Sequence, residues 1–375
     1  MTKVGKKYWV WLAMILGAGA KTDDIFSAYK TPLEVYEASE TNKKISGVFS
    51  KAQSDRFSSV TLETAEKVIA ECERKGWNIV TPEDMEYPAG LRKLRDMPLA
   101  LYVDGDICCL RGKVMIGVVG TRKPGLEGLN VAREICTDMS AAGAVIVSGG
   151  ALGIDSAAHE SALYAGGKTV CVLGCGLGTK YLMDNEALRR DVSRNGAVVS
   201  EYPPYTPASR YTFPSRNRII SGMSHAVLVV EAGEKSGSLI TAKTAMEQGR
   251  MVFAVPGNIL TSAYTGANRL ISEGAKAVMN AKDILTPFAD IYPDRLDFSL
   301  IGTVKHETSP VRKATPPGLD PDMEKVFDSL GKTPVHFDDI IAATGLSNSK
   351  TTTALMQLEL MDYITETESK KYIIN

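Results

Sequence analysis

Between Val114 and Met279 six short apolar, largely β-branched runs recur with helix-like stretches between them: VMIGVVG from Val114, AVIVS from Ala144, TVCVLG from Thr169, AVVSE from Ala197, AVLVVEA from Ala226 and MVFAVPG from Met251. Runs this short, closed by turn residues, read as strands buried on both faces. Their alternation with helices requires right-handed βαβ crossovers and a mostly parallel sheet covered on both sides. The fold class that follows is α/β, an extended Rossmann-like sheet. Ligands of such sheets sit outside the carboxyl ends of the strands, so the informative residues come just after each run. In order these are Gly120 with Thr121-Arg122-Lys123, Ser148-Gly149-Gly150, Gly174 to Gly178, Glu201, the loop from Glu231 to Ser236-Gly237-Ser238, and Pro256-Gly257. At the first, a glycine turns the chain toward a helix N-terminus whose free N–H groups attract anions, and Arg122 makes phosphate the natural ligand.

The flanks carry different patterns. Residues 1–75 are helical, with GAGAKTDD as a break and Thr31-Pro32 as a helix start, and predict a small all-α module of the SAM or helix-hairpin-helix type. The sheet domain is expected over 76–288. A linker rich in proline and charge follows over 289–318, and a winged helix-turn-helix over 319–375 with three helices and a terminal hairpin. The LGAGA turn near the N-terminus could offer amides to a nucleic-acid backbone, although a plain helix-helix turn explains it more simply. The basic and apolar N-terminus imitates a signal peptide, but its run is shorter than a membrane span and has helical spacing at Trp9, Leu12 and Ile15. Six cysteines without a C-x-x-C pair predict a reducing compartment and no metal site, and with the short N-terminal run a cytoplasmic protein without membrane association is expected.

Nucleotide cofactors are excluded on chemistry. The first strand lacks G-x-G-x-x-G, and the second ends in Ser148 where a ribose-binding acid is needed. GGKT at Gly166 lacks the leading glycine of a phosphate-binding P-loop and opens a strand instead of a helix. No nucleophile elbow, H-E-x-x-H or Cys/His cluster is present, so no catalytic set and no cofactor are assigned. RYTFPSRNRIISG, from Arg210, interleaves Phe213 with Arg216, Asn217 and Arg218. Aromatic rings stack on splayed bases and guanidinium forks hold phosphates, which suits a single nucleic-acid strand. Equally, Arg216 and Arg218 could pair with Glu201 or Glu231, and Phe213 could be core.

The ordered motifs VGTR at Val119, SGGALGIDSAAHESAL at Ser148, GGKTVCVLGCGL at Gly166, SEYPP at Ser200, FPSRNRIISG at Phe213, VVEAGEKSGSLITAKTA at Val229, and VPGN followed by GANRLISEGA resemble the DNA-processing protein A (DprA, or Smf) family. The resemblance spans roughly Tyr87 to Met279. It implies a non-enzymatic binder of single-stranded DNA that protects incoming strands and loads the RecA recombinase, as in natural transformation, and that works as a homodimer. It also implies that Arg122, Lys168, Phe213, Arg216 and Arg218 line the DNA pocket. Two rival classes remain. One is a nucleotide-processing enzyme like the lysine-decarboxylase-like phosphoribohydrolases, using Ser236 to Thr241 and Glu247. The other is a transcription regulator reading duplex DNA through the tail. The tail has ten acidic residues against five lysines, and its expected recognition helix offers chiefly Lys350, which disfavours phosphate reading there.

Overall fold

The structure, a computed structural model, describes residues 4–181, 183–304, 319–331, 334–367 and 370–374. The chain divides into two compact units on either side of residue 305. In the larger unit nine strands form one sheet: β1 (Asn78–Val80), β2 (Leu101–Gly105), β3 (Met115–Val119), β4 (Val145–Ser148), β5 (Thr169–Leu173), β6 (Ala197–Ser200), β7 (Ala226–Val229), β8 (Met251–Ala254) and β9 (Lys276–Ala277). Their order is β1-β2-β6-β5-β4-β3-β7-β8-β9. From β6 to β9 every pairing is parallel, while β2 joins β6 and β1 antiparallel. All six apolar runs are strands, and the order reverses at β3, where β4 lies on one side and β7 on the other.

Period-two side-chain alternation divides the sheet between two cores. Val145, Val147, Val227 and Val229 face the layer built on helices Thr212–Met223 and Ser238–Glu247. Ile116, Val118, Ile146 and Leu228 face the layer built on helices Leu126–Ala141, Ile154–Tyr164 and Ala281–Ala289. Burial on both faces explains why these strands read as continuous apolar runs.

Among the described residues 4–75 there are six helices, from Lys6–Leu16 to Leu62–Lys75. Thr31 caps the third by accepting the Glu34 N–H, with Pro32 in the first turn. Trp9, Trp11, Leu12 and Ile15 share their core with Leu99 and Tyr102 of the sheet region, so this module is continuous with the larger unit. The LGAGA turn is a helix-helix turn whose Gly19 N–H points at Glu201, 3.5 Å away.

The expected linker is corrected at its start. Tyr292, Leu296, Phe298 and Ile301 pack on the second core layer, and the N–H groups of Asp297 and Gly302 donate to the Ala142 carbonyl and the Asp138 carboxylate. Residues 289–304 therefore belong to the sheet unit, and 305–318 lie outside the described residues. The smaller unit has helices Pro321–Ser329, Phe337–Thr344 and Asn348–Leu360 with strands β10 (Val335–His336), β11 (Ile364–Thr367) and β12 (Lys371–Ile374) in the order β10-β12-β11, a winged helix. Among the described residues no helix is long and apolar enough to cross a membrane.

Candidate functional site

The turn after β3 is fixed by its backbone. The Thr121 N–H donates to the Glu231 carbonyl at 2.8 Å, and the Thr121 carbonyl accepts the Ile154 N–H at 3.2 Å. Gly120 is needed because a Cβ there would stand 2.5 Å from the Ile154 side chain. Arg122, exposed, leaves this rigid turn and has no carboxylate within ion-pair distance among the described residues, though its charge acts on Asp155. Its guanidinium lies over the Phe213 ring, 5.1 Å from the centroid. Phe213 stands in the first turn of helix Thr212–Met223 and backs onto Gly174 after β5, where a Cβ would come within 2.9 Å of the ring. Tyr181 stands beside it with ring centroids 5.6 Å apart. Three strand ends thus contribute one cation and two rings to a half-open mouth.

The helix N-termini beside that mouth are already occupied. Both Glu231 carboxylate oxygens accept the Gly125 N–H, at 3.3 and 3.2 Å, where helix Leu126–Ala141 begins. A Cβ at Gly128 would fall 2.0 Å from the same carboxylate, so that glycine makes room for it. Burial pushes the Glu231 carboxyl up, against the Gly125 N–H that favours the anion. At helix Ile154–Tyr164, buried Asp155 accepts the Ala151 N–H at 3.3 Å. The expectation of an anion on the first helix N-terminus is corrected accordingly: the chain supplies that anion itself, at the point where strand order reverses and a dinucleotide would sit.

Arg216 and Arg218 are also corrected as exposed phosphate contacts. Arg216 is 5% exposed, donates to the Gly149 carbonyl at 2.7 Å and to the Val172 carbonyl, and faces Asp155. Gly149 is glycine because a Cβ would collide with this guanidinium at 2.1 Å. Burial lowers the Arg216 pKa while Asp155 opposes the shift. Arg218, 5% exposed, donates from its single Nη2 to both Glu201 oxygens at 2.6 and 2.5 Å, and its Nε stands 3.3 Å from Asp96. Burial raises the Glu201 pKa against this pairing. The ion-pair alternative holds for Arg218, and Arg216 serves the backbone and Asp155.

Lys168 is exposed but precedes β5, while Arg122 follows β3. In parallel strands these are opposite ends of the sheet, separated by the six steps from Lys168 to Gly174 across β5, or roughly 20 Å at ~3.3 Å per residue. Lys168 is therefore not a wall of the same mouth. Ser148 is fully buried with its hydroxyl on the Val118 carbonyl, and the Gly150 carbonyl accepts the Asn185 amide. Asn217 is half-buried on helix Thr212–Met223. Ser236, Gly237 and Ser238 lie on the same edge as Arg122, after β7, with the two hydroxyls 2.8 Å apart. Missed by the sequence reading were Tyr181, and Arg210 over the exposed Tyr211 ring at 4.8 Å. The cation-aromatic alternation immediately before Phe213 was the available signal.

Residues 57–289 match the family described as DNA recombination-mediator protein A, and residues 310–368 match the DprA winged helix domain. The chain belongs to the DNA recombination-mediator protein A family. Similar DprA-family proteins include the DNA processing protein DprA of Bacillus subtilis, 41% identical over 58% of this chain and 73% of that protein. Protein Smf of Synechocystis is 33% identical over 81% of this chain and 82% of that protein. The X-ray structure of DprA from Streptococcus pneumoniae superposes with a TM-score of 0.66 at 33% identity, covering 76% of this chain and 98% of that one. DprA from Helicobacter pylori, whose structure concerns its single-stranded DNA binding mode, superposes at 0.52 with 30% identity over 57% of this chain and 97% of that one.

Proposed function

We propose that this chain binds single-stranded DNA at the mouth formed by Arg122, Phe213 and Tyr181, and that it acts as a recombination mediator without turnover of its own. The observation that carries the reading is Arg122: an exposed guanidinium on a rigid turn, set on an aromatic ring and without a carboxylate within ion-pair distance among the described residues. Its outer N–H groups suit a phosphate, and neighbouring rings suit bases. Ser236, Gly237 and Ser238 extend the same edge as further backbone contacts. Membership of the mediator family, and the single-stranded DNA named for the Helicobacter relative, support the same ligand.

On this reading the protein protects an incoming strand and loads a RecA recombinase onto it in the cytoplasm, as a homodimer, in natural transformation. The winged helix is assigned to protein contact and not to duplex reading. It is acidic, and Lys350 on its third helix is held by Asp322 at 2.9 Å.

Affinity for a labelled oligodeoxythymidylate, measured against salt, tests the site. Arg122→Ala is expected to lower the slope of log affinity against log salt by about 0.7, one phosphate on a single strand. Phe213→Ala is expected to cost roughly tenfold in affinity through lost stacking of ~1–3 kcal/mol. Unchanged affinity and slope in both folded variants overturn the assignment. Stimulation of RecA ATPase on strands coated with single-strand-binding protein tests the mediator role, and absence of stimulation refutes it. Release of free base from nucleoside monophosphates would replace it with the nucleotide-processing reading.

A further inference from the structure

At the opposite edge of the sheet, where β3, β7 and β8 begin, lies a cavity of 390 Å³. Arg92, Lys93, Arg111, Lys113 and Arg250 line it against a single carboxylate, Glu86. This is a concentrated positive field in a chain whose formal net charge is −1. Part of the charge is structural. Arg92 donates to the carbonyls of Pro82, Asp84 and Tyr87, and Arg111 reaches Glu86 only at 3.9 Å. Lys93 and Lys113 are exposed and have no ion-pair partner among the described residues.

Deeper in, Arg250 gives one N–H to the Gly222 carbonyl at 3.1 Å, while its Nε is buried without a partner. A buried, unpaired guanidinium N–H is costly and marks a place where an acceptor would be stabilising. His225 adds a neutral donor. Its Nδ1 accepts the Met115 N–H at 3.0 Å, which leaves the ring proton on Nε2. The floor is apolar, with Tyr87, Ile107, Leu110 and Met223 all buried. Cations around an apolar floor match a ligand that carries phosphate on a flat, weakly polar body.

We propose that this cavity is a second phosphate site, separate from the Arg122 mouth. It takes the phosphate of a nucleotide on Lys93, Lys113 and Arg250 and its base and sugar on the apolar floor. The nucleotide is either free or one unit of a DNA strand, since both offer the same chemistry.

The test uses the full chain with Arg122→Ala, so that failure of the first site and failure of this one are separable. This variant, and the same variant with Lys93→Glu and Lys113→Glu, are titrated with deoxyadenosine monophosphate by calorimetry and with a labelled oligodeoxythymidylate at several salt concentrations. Both lysines are exposed, so an unchanged melting temperature is expected and confirms folding. Binding of the mononucleotide that charge reversal weakens about tenfold or more supports the proposal with a free ligand. No mononucleotide binding, but a salt slope for the oligonucleotide that falls by about 0.7, one phosphate, on charge reversal, supports it with the strand as source. If the mononucleotide does not bind and charge reversal leaves oligonucleotide affinity unchanged, the proposal is overturned. It is equally overturned if the mononucleotide binds and charge reversal leaves its affinity unchanged.

Discussion

Replacing Arg216 by alanine separates a structural arginine from a DNA contact. The guanidinium is 5% exposed, bonded to the carbonyls of Gly149 and Val172, and it is the main charge favouring ionised Asp155, which is itself 7% exposed. Each hydrogen bond from a charged donor is worth ~1.5–3 kcal/mol, and the same substitution removes the charge that favours ionised Asp155. These overlap, because Asp155 can take up a proton once Arg216 is gone; its carboxyl is already pushed up by burial. A net loss of about 4 kcal/mol follows, or roughly 6 °C in Tm for a unit of about 300 residues. Urea denaturation of the full chain reads the first number and thermal melting the second. Adding Asp155→Asn to Arg216→Ala is expected to recover part of the loss, since no buried charge is then left alone. Arg122→Ala is expected to stay within ~0.5 kcal/mol of the parent, as an exposed substitution. If Arg216→Ala keeps full stability and lowers the salt slope of DNA binding by about 0.7, the burial argument is refuted and the guanidinium is reached by phosphate.

Gly174→Ala places a Cβ 2.9 Å from the Phe213 ring, and is expected to tilt that ring and weaken oligonucleotide affinity several-fold, with the salt slope unchanged because no phosphate contact is lost. Glu231→Ala removes the acceptor of the Gly125 N–H, costs ~1–2 kcal/mol, and opens the helix N-terminus to anions; sulfate is expected to raise its Tm more than it raises the parent's. His159 gives a pH signature: it is fully buried, and burial with Arg216 nearby pushes its pKa down to about 3. The unfolded chain, with histidine near ~6.5, binds the extra proton, so stability is highest above that pH and falls as pH drops, by about 2 kcal/mol between roughly pH 7 and pH 5. His159→Asn is expected to remove that part of the slope, and an identical slope in the variant would refute the assignment.

The parallel sheet was legible because its strands are continuous apolar runs, a pattern imposed by burial on both faces. β9 was not, since Lys276 and Ala277 are both exposed and leave no periodic trace. The candidate site was legible only in part. Arg122, Arg216 and Arg218 are the same residue type beside glycines or aromatics, yet one is exposed and two are buried. Helical spacing held the distinguishing signal. Arg216 shares a face with Ile219, Ile220 and Met223, at three, four and seven residues, all of them buried. A cation on that stripe points inward and needs internal acceptors. Lys168 was misplaced for a different reason: the GGKT motif was matched as a unit, while the site rule concerns residues after a strand, and this lysine comes before one.

The same geometry says why an α/β sheet of this kind would bind a strand on its rim in place of a cofactor in its crevice. A dinucleotide needs open helix N-termini at the point where strand order reverses. Here Glu231 fills one, and at the next the Ile154 N–H is taken by the Thr121 carbonyl while the Asp155 carboxylate sits in the first turn; Gly128 makes room for Glu231, and Arg216 faces Asp155. Putting a phosphate there would bring like charges together in a poorly solvated site, which penalises every phosphorylated ligand regardless of its base. What remains available for anions at that edge is outside the crevice, where Arg122 stands on a turn pinned through Thr121 to Glu231 and Ile154. A single exposed cation beside two rings cannot close around a small ligand, but it can hold one phosphate of a chain whose neighbouring units bind in turn. On the proposed reading, affinity is then built along the strand from repeated weak contacts, and Glu231 has two roles: its side chain excludes the cofactor and its main-chain carbonyl positions the arginine.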